Sequence, residues 1–173
     1  MKRFAILAMA LAVMGTAACD DSPTAPDDNT VVFTSSLSAA NEVPAVTGAE
    51  TTTTGTVTIT FNLTRGANNA ITAATANFAA TLSNMPAGSS LILAHIHPGA
   101  AGTTGSPVVN TGLTAAAAIP VTNGSATLTF NSITVDPVVA QNIIDNPAAF
   151  YFNVHSTANP GGVARGQLVR QGS

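Results

Sequence analysis

Between residues 56 and 63 the chain alternates without interruption, Thr56, Thr58, Thr60 and Asn62 interleaving with Val57, Ile59, Phe61 and Leu63. Successive side chains of an extended strand point to opposite faces, so this segment has one apolar and one polar side and fits a half-buried antiparallel strand. A helix would scatter the same residues around its circumference. β-Rich runs at 31–39, 71–82, 91–97, 125–131, 150–155 and 164–169, separated by Gly, Pro and Asn, join the strand at 55–63 to make seven predicted strands. The exception is 136–146, where Asp136 can cap a helix, Pro137 suits its first turn, Val139, Ala140 and Ile143 share a face, and Asn146-Pro147 stops it. The expected fold is therefore all-β, an antiparallel Greek-key-like β-sandwich or barrel with one short helix.

A chain of 173 residues has the size of one domain. Only 8% of its residues are charged, so the outward faces of the strands must be Thr, Ser, Asn and Gly. Thr, the β-branched member of that set, packs well on a pleated surface. The run at 51–54 is expected to be an exposed approach to a strand, and the Ala-rich stretch 111–123 a loop.

Before the domain lies a leader. Lys2 and Arg3 precede an apolar run from Phe4 to Val13 and the small residues Gly15, Thr16, Ala17 and Ala18, a pattern too short to span a membrane and typical of an export signal. Cys19 is the only cysteine. Its position after Ala17-Ala18 resembles the lipobox of bacterial lipoproteins, in which this residue is lipidated, although Thr16 stands where Leu is usual. Residues 1–19 are thus expected to be a lipoprotein signal peptide, 20–30 (DDSPTAPDDNT) a solvated tether and 31–170 the β domain. The protein would be exported to the cell envelope and held to a membrane by its N-terminal lipid. Without the leader, three arginines face eight carboxylates, a net charge of −5. No clustered cations remain for a phosphate backbone, which excludes nucleic acid as a partner.

Chemistry is confined to few residues. There is no phosphate loop, G-x-S-x-G or pair of carboxylates at catalytic spacing, so no catalytic residue is assigned. The three histidines all fall in predicted strands: His95 and His97 in LILAHIHPG, and His155 in FYFNVHSTANPGG. Alternation puts His95 and His97 on one side, about 7 Å apart at Cα. Tyr151, Asn153 and His155 share a face opposite Phe150, Phe152 and Val154, so a polar cluster away from the core is expected. With His155 as a third imidazole the set suits copper or zinc, leaving a coordination position open. The same histidines can instead brace strand ends through ordinary hydrogen bonds. Arg165 either pairs with Glu42, one of two carboxylates in the body ahead of the helix, or guides an anion toward a metal. Glu42, just before Pro44, can also cap a turn.

FTSSLSAANEVPAV, AHIHPGAAG and YFNVHSTANPGGVARGQL, in this order, resemble the CHRD (chordin-type) domain, common in bacterial exported proteins and present in animal proteins of extracellular signalling. The resemblance spans 31–169, essentially the whole domain, and the family name is not itself a function. A weaker likeness is to copper–zinc superoxide dismutase, a Greek-key sandwich with an H-x-H pair, a late histidine and an arginine, matched in order by His95, His97, His155 and Arg165. The bridging histidine, the zinc-site aspartate and the disulfide cysteines of that family have no counterpart, so it implies at most a mononuclear copper or zinc site. Three functions follow: a tethered binding module with or without a metal, a metalloprotein with dismutase-like chemistry, or an adhesion or matrix protein.

Overall fold

The computed structural model describes residues 29–172. Cys19, the rest of the leader and most of the 20–30 tether lie outside the described residues.

The alternating segment forms β2 (Thr54–Arg65), with Val57, Ile59, Phe61 and Leu63 buried and Thr56, Thr58, Asn62 and Thr64 exposed. It pairs antiparallel with β1 (Thr30–Ser38) and β3 (Ile71–Ser83), and β3 pairs in turn with β7 (Ala126–Val135). The second half comprises β4 (Ser90–Pro98), β8 (Phe150–Ser156) and β9 (Ala164–Gln167), with two-residue strands β5 (Val109–Asn110), β6 (Ile119–Pro120) and β10 (Val169–Arg170). The order β5-β4-β8-β9-β1-β2-β3-β7, with β10 beside β1 and β6 beside β4, gives a nearly closed antiparallel barrel or sandwich. The expected all-β class is borne out.

Both halves turn an apolar face inward. Phe33 meets Phe61 edge-on at 5.3 Å between ring centroids, and Phe78 of β3 stacks on Phe152 of β8 at 5.8 Å, joining the halves across the core. Each fully buried aromatic of this kind stabilises the fold by about 1.5–3 kcal/mol. The helix α1 (Pro137–Asp145) is capped by Asp136, whose Oδ1 accepts from the Val138 and Val139 amides, and it buries Ala140, Ile143 and Ile144.

Where expectation and structure differ, local irregularity is the cause. The described residues hold ten strands instead of seven, because two short pieces, β5 and β6, add to β4, and the predicted strand 164–169 breaks at Leu168. Leu168 is buried and donates its amide to Phe150 O at 3.0 Å, splitting the segment into β9 and β10. The stretch 111–123 contains a 3-10 turn (Ala115–Ala117) and β6, and ends in Asn123-Gly124, both at positive φ (51° and 78°). Two consecutive left-handed residues make the tight turn that reverses an antiparallel pair. Within 51–54, Thr53 is fully buried and its carbonyl accepts from the Ala39 amide, unlike its exposed neighbours.

The β4–β8 register shifts between Leu91 and Leu93, leaving Ile92 as a bulge. Strict alternation would place Leu91 on the same side as His95 and His97. With the extra residue, Leu91 and Ala94 both enter the core while the histidines face away from it.

Candidate metal centre

Pairing of β4 with β8 and of β8 with β9 builds the site. Ala94 lies opposite Val154 and Ile96 opposite Phe152, all fully buried on the inward face. Their neighbours point outward: His95 opposite Asn153, His97 opposite Tyr151, and Asn153 in turn opposite Arg165 of β9, which is opposite Ser38 of β1. A row His95–Asn153–Arg165–Ser38 therefore crosses four strands on the side away from the apolar core.

Sequence alternation predicted that shared face, but not its surroundings. The cluster was expected to be unburied; instead His95, His97 and His155 are 6%, 7% and 8% exposed. Long-range contacts do the covering: the segments 39–53, 99–108 and 157–162 supply Asn41, Glu42, Thr103, Gly105, Asn159 and Pro160 to this region. Gly105 packs so closely on the Pro98 carbonyl that a Cβ would collide with it.

The three imidazoles converge, with one ring nitrogen from each within 4.8 Å of the others. His95 meets His97 and His155 edge-on at ring-centroid distances of 5.5 and 5.2 Å. His97 Nδ1 lies 2.8 Å from Gly105 O, and His155 Nδ1 2.8 Å from Pro160 O. A carbonyl only accepts, so both Nδ1 atoms carry the proton and both Nε2 atoms present a lone pair. His97 Nε2, His155 Nε2 and His95 Nδ1 are buried with no hydrogen-bond partner among the described residues. Burial holds all three histidines below their ordinary titration range. For His95 the fall, to about 4, is deepened by His155 and His97, and at neutral pH the cluster is uncharged.

Those atoms fit a metal. Three points no more than 4.8 Å apart share a centre at most about 2.8 Å from each, and a small rotation of the rings closes that to the ~2.0–2.1 Å of a metal–imidazole bond. The two Nδ1–H···O=C bonds are the outer contacts that orient ligating histidines. Without a metal, three buried ring nitrogens have no hydrogen-bond partner among the described residues, a costly arrangement in a protein interior.

Arg165, 2% exposed, is held in place on several sides. Its Nε donates to Asn41 O at 2.6 Å and its Nη1 to Thr103 O at 2.8 Å, and its guanidinium lies 4.7 Å from the centre of the Tyr151 ring. Tyr151 also stacks on His97, 4.9 Å between centroids with the rings nearly parallel. Glu42 Oε2 is 3.9 Å from Arg165 Nε, and Glu42 Oε1 accepts from Asn153 Nδ2 at 2.6 Å. Burial outweighs the guanidinium and pushes the Glu42 carboxyl up to about 7. These contacts occupy Nε and Nη1, whereas Nη2 is buried with no partner among the described residues. Gly162 (φ 141°) completes the packing: a Cβ there would fall 2.6 Å from Glu42 Oε2.

The other carboxylate of the body, Glu50, was given no role from the sequence. It is 1% exposed and accepts hydrogen bonds from Ser89 Oγ, Ser156 Oγ and Asn159 Nδ2, tying a covering segment to the start of β4, the end of β8 and the Asn159-Pro160 turn. Its rarity was the available signal, since few carboxylates occur in so weakly charged a chain.

No curated protein and no solved structure matches the chain. The CHRD domain matches residues 33–168, from the first core phenylalanine of β1 to the inward Leu168 and through every residue of the histidine site. The chain belongs to the CHRD domain family.

Proposed function

We propose that this protein is an exported, lipid-anchored, non-enzymatic binding module that holds a copper or zinc ion through His95, His97 and His155. The observation that carries the metal reading is the convergence of three buried, uncharged imidazoles, each with an unpartnered ring nitrogen. Ordinary bracing of strand ends explains the Nδ1 contacts of His97 and His155, but not the three unpartnered ring nitrogens. The bound ion would complete the polar layer and leave one position for an outside ligand. A binding role agrees with membership of the CHRD family. Cys19 would supply the anchor and residues 20–30 the tether, placing the domain at the envelope surface.

Metal content of the purified protein decides the central claim. One equivalent of copper or zinc, absent from a folded variant with all three histidines changed to Ala, is expected. A well-folded wild type that takes up neither ion would leave a metal-free module. Anchoring is tested separately by fractionation: the wild type is expected with membranes and Cys19→Ser in the soluble fraction, and an unchanged distribution would count against the lipid.

A further inference from the structure

The protein's ligand set goes further than copper or zinc. We infer that the histidine site selects copper in its monovalent state, Cu(I), over divalent ions; this rests on the metal reading above. Three features of the site argue for it together.

All three candidate ligands are neutral imidazoles, and among the described residues the cluster contains no carboxylate and no thiolate. Nothing in it offsets the charge of a divalent ion. A fixed positive charge lies beside the ligands: the Arg165 guanidinium sits 4.7 Å from the centre of the Tyr151 ring, which stacks on His97. Glu42 does not serve as counter-charge at the metal, being turned toward Arg165 and Asn153.

Burial amplifies the difference. The cost of moving an ion out of water grows with the square of its charge, so a divalent ion pays about four times the desolvation of a monovalent one of similar size. With the histidines 6–8% exposed, this penalty falls on the ion at the site. Coordination number points the same way. Zn(II) favours four ligands, so beyond the three imidazoles it would need a water or hydroxide in the fourth place. Cu(I) has a filled d shell and is satisfied by three nitrogens, which is what His95, His97 and His155 offer. Oxygen-seeking Mg(II) and Ca(II) find no oxygen donor in the cluster.

The experiment is a pair of competition titrations on the full chain in detergent, one with Cu(I) against a chromogenic Cu(I) chelator under strict exclusion of oxygen, the other with Zn(II) against a fluorescent zinc chelator. One equivalent of Cu(I) bound at least about a hundredfold more tightly than Zn(II) is expected, with X-ray absorption showing three nitrogen neighbours. His95→Asp, which brings a carboxylate into the set, is expected to narrow that ratio at least about tenfold. Should this variant fail to fold, the wild-type ratio decides alone. Zinc bound as tightly as Cu(I), or more tightly, overturns the monovalent assignment while leaving a metal site. Neither ion bound by folded protein overturns the metal reading and this inference with it.

Discussion

On β2 and β3 the side chains that point away from the core range from exposed, as at Thr56, Thr58, Thr64, Ala79 and Thr81, to half-buried, as at Thr60, Thr75 and Asn77; on β4, β8 and β9 His95, His97, Tyr151, Asn153, His155 and Arg165 are buried between the half-buried Leu93 and Gln167. The backbone does the same thing in both places, an antiparallel ladder with alternating faces. Only the second wall carries a further layer, formed by the covering segments. The cost of that layer is visible in its hydrogen bonding: of seven buried polar side-chain atoms without a partner among the described residues, five belong to His95, His97, His155, Asn153 and Arg165. The apolar layer stabilises the fold, whereas the polar layer is held by it and kept unsatisfied at one point. Buried polar groups are tolerated when satisfied, and the exception coincides with the candidate metal centre.

The largest effect should come from the layer both walls share. Phe152→Ala removes a fully buried ring stacked on Phe78 and is expected to cost about 3–5 kcal/mol in chemical denaturation. A cost below 1 kcal/mol would mean that the halves are not joined through this contact. Next comes the carboxylate that ties down the cover. Glu50→Gln puts an amide N–H₂ where Ser89, Ser156 and Asn159 all donate and should cost about 1.5–3 kcal/mol, also loosening metal uptake. Unchanged stability and uptake would separate the cover from the site.

Acid distinguishes the walls without mutation. The histidines titrate lower in the folded protein than the usual 6.5, His95 at about 4, so below 6.5 the unfolded chain binds more protons and metal-free protein loses stability as pH falls. The loss approaches about 1.4 kcal/mol per pH unit for each such histidine between its unfolded and folded values. Glu42, raised from 4.5 to about 7, acts oppositely: its contribution is full below 4.5 and is lost as pH rises through 7. Replacing all three histidines with Leu should therefore abolish metal binding and reverse the slope of stability with pH between 4.5 and 6.5. A slope unchanged by that replacement would show that the histidines are not held uncharged by burial. The smallest effect belongs to the open wall, where Thr58→Ala is expected to stay within about 0.5 kcal/mol. A larger loss would reveal a partner layer there too.

Much of this contrast could be read from the residues. The alternation around Phe61 gave β2 and its exposed threonines; His95 and His97 shared a face because two residues separate them; Phe152 and Val154 were assigned inward and His155 outward. What escaped was the cover over that face, which distant parts of the chain decide. Burial of the histidines depends on carbonyls of Gly105 and Pro160, and neither periodicity nor composition says where a loop carbonyl will lie. Glu50 is separated by 39 residues from Ser89 and 106 from Ser156, and only folding makes them neighbours. The pairing of Arg165 with Glu42 was foreseen as one of two roles, but not the larger share of Asn41, Thr103 and Tyr151 in holding the arginine.

The bulge at Ile92 makes the spelling of LILAHIH depend on its length more than on its letters. Exchanging Ile92 for another residue leaves the phase of the strand intact, whereas deleting it inverts every position on one side of the gap: either Leu91 is expelled from the core or the two histidines are driven into it. Between Leu91 and Ala94 the reading frame of this strand is fixed by counting, so a residue there can be exchanged where it cannot be removed.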